Sequence, residues 1–316
     1  MENKSKDQFY SPPPERSIGE QIMQFLWNSE TNQFLGRTFG SWAKIILFYI
    51  IFYLVLAAFW GGMWIIFNSI AIKTDKPRFT LQESLIGSNP GLGYRPMPSE
   101  EYIDSALIWF KQSDNGFVNW TNKLQTFLEP YEKIRRDPNE SKNYVNCSYD
   151  YLPPPNKVCR VPLEQMAPCD KQFYRYDSGG LCIFLKLNKI FDWIPQYYND
   201  VKSFPSNMPK ELQEKIKDEG SKNPKNLNTV WVSCEGENPS DKEHIGPIYY
   251  FPRPGFPGYY FPFSNVKGYL SPLVAVWFKN PIHGVLINVE CKAWAKNIIY
   301  DRHDRKGSVH FELMID

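Results

Sequence analysis

The sequence predicts a single transmembrane helix followed by a mainly β extracellular domain, an immunoglobulin-like β-sandwich with helical and loop insertions. Three observations predict it. Residues 45–72 form a 28-residue run with no Asp, Glu, Lys or Arg. All six cysteines (Cys147, Cys159, Cys169, Cys182, Cys234 and Cys291) lie after that run. From Cys159 onward, short segments alternate apolar and polar residues with the period of two that belongs to strands.

The chain opens with a polar stretch, residues 1–15, holding Pro12-Pro13-Pro14, which reads as a disordered tail. Residues 17–25 have the pattern of a short amphipathic helix. Trp27 and Trp42 suit a membrane–water interface, and Gly36 and Gly40 are expected to interrupt any helix between them.

The apolar run then starts, bracketed by Lys44 and Lys73. A bilayer core ~30 Å thick takes about 20 apolar residues in a helix, and the run would rise roughly 42 Å at ~1.5 Å per residue. A buried core helix or a cleaved signal peptide fits such length and position less well. No other window approaches a span, so three parts are expected: an N-terminal tail (1–44), the transmembrane helix (45–72) and a large domain (73–316).

At about 100° per residue, Tyr49, Tyr53, Leu56, Trp60 and Phe67 share one face of that helix. Ala57 and Gly61, and again Ala58 and Gly62, repeat at the four-residue step that lets two membrane helices approach closely. A phenol at mid-depth needs a hydrogen-bond partner, which favours a protein neighbour for Tyr49 and Tyr53 over bare lipid.

Residues 73–99 are rich in Pro and Gly and read as a stalk. Residues 101–110 and 121–135 have helical spacing of apolar residues, and 137–155 read as a surface loop. Strands are expected where Leu181, Ile183, Leu185 and Leu187 alternate with Cys182, Phe184 and Lys186, and at Val230, Val232 and Cys234. Others follow at the apolar run 273–278, at Val285 to Ala293, and at Val309, Phe311, Leu313 and Ile315. Cys234 and Cys291 fall on apolar strand faces, so a bond between them would cross a sandwich core as in immunoglobulin domains. Residues 209–216 read as a short helix on an insertion, and 300–305 as a solvated hairpin.

An even number of cysteines on one side of a membrane implies three disulfides in an oxidising compartment, with fifteen pairings open. No C-x-x-C occurs, and four histidines give no zinc spacing, so no metal or other cofactor is expected. Three N-x-S/T sites, at Asn119, Asn139 and Asn146, lie on the same side, whereas Asn238-Pro-Ser is blocked by its proline. Together they imply a type II plasma-membrane glycoprotein with a cytoplasmic N-terminus. The flanking charges (Arg37 and Lys44 before the run; Lys73, Lys76 and Arg78 after it) lean slightly the other way. The formal net charge of +2 argues neither for nor against nucleic acid, and with no basic run no nucleic-acid partner is expected.

Enzyme signatures are missing. Asp177-Ser178-Gly179-Gly180 matches a serine-protease motif, but no histidine precedes His244, which leaves a glycine turn entering a strand. No D-x-D, P-loop or G-x-S-x-G occurs.

The segment around the first apolar run carries a more specific signal: Trp27-Asn28, Glu30, Gly36-Arg37-Thr38, Ser41-Trp42, Leu47-Phe48-Tyr49 and Phe52-Tyr53. It resembles the juxtamembrane signature of the β subunits of Na⁺/K⁺- and H⁺/K⁺-transporting P-type ATPases. Further matches include Pro90-Gly91-Leu92, Val158-Cys159-Arg160, the segment from Tyr259 to Phe263, and Glu290-Cys291-Lys292-Ala293, so the resemblance runs from about residue 16 to the end. It implies disulfides Cys147–Cys159, Cys169–Cys182 and Cys234–Cys291. It implies a non-catalytic subunit that accompanies a catalytic α subunit one-to-one through folding, export and membrane delivery and modulates K⁺ affinity. Tyr49, Phe52 and Tyr53, with Ala57, Gly61 and Gly62, would meet an α membrane helix amid lipid. Tyr259, Tyr260, Phe261 and Phe263 would meet an extracellular α loop. The alternatives are an H⁺/K⁺-ATPase β subunit and a pump-independent adhesion or junction glycoprotein, which would have no need of an aromatic membrane face.

Overall fold

A computed structural model describes residues 17–72, 76–85, 87–99, 105–137, 140–170, 172–304 and 306–316. The tail expected over residues 1–15 and the site Asn139 lie outside them. The chain forms two compact units, Met1–Lys73 and Thr74–Asp316.

The first unit opens with α1 (Ile18–Leu26). A capping box starts it: Ser17 Oγ accepts from the Glu20 amide at 3.3 Å, and the Ser17 amide donates to Glu20 Oε2 at 3.1 Å. Three two-residue strands follow as an antiparallel meander: β1 (Trp27–Asn28), β2 (Gln33–Phe34) and β3 (Arg37–Thr38). Then comes α2 (Phe39–Ala71), 33 residues long and about 50 Å at ~1.5 Å per residue.

The helix begins at Phe39, ahead of the charge-free run, and takes in Gly40. The expected break at Gly40 is therefore corrected. Gly40 lies in the first turn, where the amides have no intrahelical partner and a weak helix former costs little. The chain turns instead at Gly36, whose φ of +72° is the left-handed conformation that glycine adopts freely.

The second unit contains, in chain order, β4 (Leu92–Arg95), β5 (Leu107–Phe110), α3 (Val118–Arg136), β6 (Tyr144–Val145), β7 (Val158–Cys159) and β8 (Leu181–Leu187). After these come α4 (Lys210–Lys222), β9 (Thr229–Gly236), α5 (Pro239–His244), β10 (Ile248–Phe251) and β11 (Gly255–Pro257). The last three strands are β12 (Leu273–Phe278), β13 (Ile287–Trp294) and β14 (Ser308–Ile315).

Two sheets form, β10-β12-β8-β4 and β11-β9-β13-β14-β5, plus the short pair β6-β7. They share one core. Phe311 of β14 is fully buried and spans the gap: its ring lies 4.9 Å from Tyr94 of β4 and 6.0 Å from Phe278 of β12. The alternation at β8 hides a strand buried on both faces. Its second face, with Phe184 and Lys186, lies under Tyr174 and α3; the Lys186 ammonium sits 6.0 Å from the Phe127 ring.

Two expectations are corrected here. The helical spacing over 101–110 ends in a strand: β5 pairs in parallel with β14, Leu107 opposite Glu312 through Phe110 opposite Ile315. Long-range backbone pairing overrides local periodicity, and the Trp109 indole donates to Asp316 Oδ2 at 2.8 Å to lock it. Second, the bond between Cys234 and Cys291 does not cross the core. The two residues are direct partners on neighbouring strands β9 and β13, with Cα atoms 4.0 Å apart. Their faces are apolar because both strands are interior, not because they oppose each other across the sandwich. The other disulfides join Cys147 to Cys159 and Cys169 to Cys182.

Candidate partner surfaces

The aromatic face of α2 is built by stacking along the helix. Tyr49 lies over Tyr53 with ring centroids 6.0 Å apart, Phe48 over Phe52 at 6.1 Å, and Trp60 over Trp64 at 6.0 Å. Each pair is four residues apart, the spacing at which helical side chains meet. Phe52 and Tyr53 also meet edge-on at 5.4 Å, which joins two of the stacks into one aromatic slab. Phe48, known only as part of a motif, and Trp64 were not expected on this face, although their spacing to Phe52 and Trp60 carried the signal.

The slab is open within its unit: Tyr49 is 50% exposed and Tyr53 60%. Next to it, a Cβ added at Gly61 or Gly62 would touch nothing within 4 Å, so the helix backbone is bare there. Toward the far end, Asn68 Nδ2 donates to the Trp64 carbonyl at 3.0 Å and Ser69 Oγ to that of Ile66 at 3.0 Å. One donor of each side chain is thereby turned back onto the helix's own backbone.

The segment at 259–263 is a different kind of surface. Tyr260 belongs to the core: it is 6% exposed, and its hydroxyl donates to the Arg160 carbonyl at 2.8 Å. Burial pushes that hydroxyl well above the usual tyrosine pKa. Tyr259 is half-buried between Tyr260, at 4.7 Å, and Tyr149, at 5.3 Å. Phe261 meets Trp193 edge-on at 5.7 Å, and Phe263 is wedged between Phe191 at 6.3 Å and Tyr269 at 4.9 Å. Tyr259, Phe261 and Tyr269 line a shallow cavity of about 320 Å³ with Pro153, Pro154 and Pro155. A partner here would touch the outer edges of Tyr259, Phe261 and Phe263, whereas Tyr260 is spent on the interior.

Asn119 lies exposed in the first turn of α3, and Asn146 is exposed next to the Cys147–Cys159 bridge. Ser178 is no nucleophile in waiting. Its Oγ donates to the Arg175 carbonyl at 3.1 Å, and His283 Nε2 faces the Gly179 carbonyl at 3.3 Å rather than the Ser178 hydroxyl. Among the described residues no cluster of three His, Cys, Asp or Glu could hold a metal ion.

The family model described as the sodium/potassium ATPase beta chain matches residues 13–311. Sodium/potassium-transporting ATPase subunit beta-2 of Drosophila melanogaster is 48% identical over 312 residues, covering 98% of this chain and 96% of the relative. Subunit beta-1 of the same organism is 39% identical over 318 residues, covering 99% and 97%. Subunit beta-2 of Homo sapiens is 31% identical over 317 residues, covering 95% of each. The matched stretch takes in the juxtamembrane meander, the aromatic helix, all three disulfides and both sheets as far as the first half of β14, and on that footing the chain belongs to the sodium/potassium ATPase beta chain family.

Proposed function

We propose that this chain is the non-catalytic β subunit of a Na⁺/K⁺-exchanging P-type ATPase, paired one-to-one with a catalytic α subunit in the plasma membrane. The observation that carries the reading is the open slab of Phe48, Tyr49, Phe52 and Tyr53 on α2 in a chain of this family. Lipid alone gives the two phenols no acceptor, whereas a neighbouring membrane helix does. Na⁺ rather than H⁺ as the exported ion is supported by the names of the relatives.

Escort of the α subunit follows from the same contact. A membrane helix with polar groups is unsatisfied until it meets its partner, so pairing stabilises both chains during folding and export. Tuning of K⁺ affinity is a linkage effect. A subunit that binds one pump conformer better shifts the cycle toward it by that difference, typically ~1–3 kcal/mol. The chain itself would hydrolyse nothing.

A mild detergent extract captured on this chain is expected to contain a multi-span ATPase in equimolar amount. The double variant Tyr49→Ala/Tyr53→Ala should reduce both its recovery and its surface delivery. Capture of this chain alone would sink the proposal, and unchanged delivery by the variant would assign the slab to lipid.

A further inference from the structure

The first unit contains a second apolar face outside the proposed span. Ile18, Ile22, Phe25 and Leu26 recur at the three- and four-residue spacing of one side of α1, with Glu20 and Gln24 opposite. No residue of α1 is buried, and Ile22 is 54% exposed. An isolated nine-residue helix is marginal in water, so one with its apolar side open needs something to cover it.

The meander fixes where this helix sits. The Leu35 amide donates to the Leu26 carbonyl, the last residue of α1, at 3.2 Å. The adjacent Phe34 carbonyl accepts the Trp42 indole, in the first turns of α2, at 2.8 Å. Phe34, the last residue of β2, and Leu35, in the turn after it, thus hold the start of α2 and the end of α1. The Phe25 ring adds a contact, 3.4 Å from where a Cβ on Gly36 would stand. α1 is therefore held at the level where the apolar helix begins, and that level is marked by Trp27, Trp42, Arg37 and Lys44, the residue types that settle at a membrane–water boundary.

We infer that α1 is an interfacial helix: it lies on the membrane surface at the N-terminal end of α2, with Ile18, Ile22, Phe25 and Leu26 seated at the boundary of headgroups and acyl chains. Continuity with α2 selects lipid as the occupant, because a helix tethered beside a span meets the bilayer at high effective concentration and needs little area to stay there. The single ionisable side chain of α1, Glu20, is spent on the capping box. Seating therefore rests on apolar area and requires no anionic lipid. It makes the unit an L-shaped anchor, α2 across the bilayer and α1 along it, which sets the rotation of the aromatic slab about the bilayer normal.

The inference rests on α2 crossing the bilayer, and the test separates the two. All six cysteines are paired, so one introduced cysteine takes a fluorophore selectively in the full chain. Single variants Ile22→Cys, Glu20→Cys and Val55→Cys go into vesicles of neutral phosphatidylcholine brominated either high or low on the acyl chains. At Ile22→Cys we expect several-fold stronger quenching by the high bromines than at Glu20→Cys, with the order reversed for aqueous iodide. Val55→Cys, mid-way along α2, should respond to the low bromines. Equal iodide quenching at 20 and 22 would place α1 in water. Protection of Ile22→Cys from both quenchers would place a protein on the face. Either result overturns the inference while Val55→Cys still responds to bromine. Loss of the Val55→Cys response would instead sink the span itself.

Discussion

At the scale of single residues, the second unit is held by a few polar contacts placed where burial makes them count. Glu290 on the outward face of β13 is almost covered. It accepts from the Tyr300 hydroxyl at 2.7 Å and meets the Lys292 ammonium at 3.0 Å. Lys292 also faces Glu235 at 3.4 Å, which Lys242 meets at 2.9 Å. Burial alone would raise the Glu290 pKa, but the hydrogen bond from Tyr300 and the charge of Lys292 outweigh it and hold the carboxyl below the usual range. A group with a depressed native pKa contributes stability that is present above its unfolded value, about 4.3 for Glu, and is lost as pH falls through the native value. Tyr300→Phe removes the donor, so it should cost about 1 kcal/mol at neutral pH. The gap to the wild type should narrow as acid protonates Glu290. Urea unfolding of the full chain as a function of pH measures this; a gap that does not change with pH would show that Tyr300 acts by packing alone.

At the scale of elements, what holds the two sheets together is aromatic rather than covalent. Phe311 touches Tyr94 and Phe278 across the core, while the Cys234–Cys291 bridge ties two neighbours within one sheet. Phe311→Ala should therefore cost ~3–5 kcal/mol through the cavity it leaves, read as a lower thermal midpoint. Replacing both Cys234 and Cys291 by Ser should cost about 4 kcal/mol on the loop-entropy model for a separation of 57 residues. That loss should leave the contact between the sheets intact, with the near-ultraviolet signal of the core aromatics retained. These elements also show where sequence stops being informative. β8, β12, β13 and β14 were legible because apolar runs and alternation are local. β5 was not, because its partner lies about two hundred positions away and its own spacing favours a helix. The cysteine faces were legible, but an apolar face does not say whether it looks across a core or along a sheet. In the site, Tyr49 and Tyr53 followed from helical spacing, whereas Phe52 came with the family motif and Phe48 was not assigned to the surface. The core role of Tyr260 did not, since a Tyr-Tyr-Phe run has the same composition whether a hydroxyl points to solvent or to the Arg160 carbonyl.

At the scale of the whole molecule, the remaining question is which way the chain threads the bilayer, and two physical arguments oppose each other. Counting positive charges beside the apolar run slightly favours a cytoplasmic large unit, with Lys73, Lys76 and Arg78 after it against Arg37 and Lys44 before it. The disulfides favour the reverse, because all six cysteines of that unit are bonded and such bonds persist in oxidising compartments, not in the cytosol. The second argument weighs more. Three separate bonds agree, whereas the charge bias is a matter of one residue. A tag at the C-terminus should accordingly be stained by antibody on unpermeabilised cells, and a tag at the N-terminus only after permeabilisation. Asn119→Gln and Asn146→Gln should each remove one glycosidase-sensitive step in gel mobility, since both asparagines are exposed. Staining of the N-terminal tag on intact cells would reverse the orientation. It would also move α1 to the outer leaflet and leave the cysteines of the large unit facing a reducing cytosol.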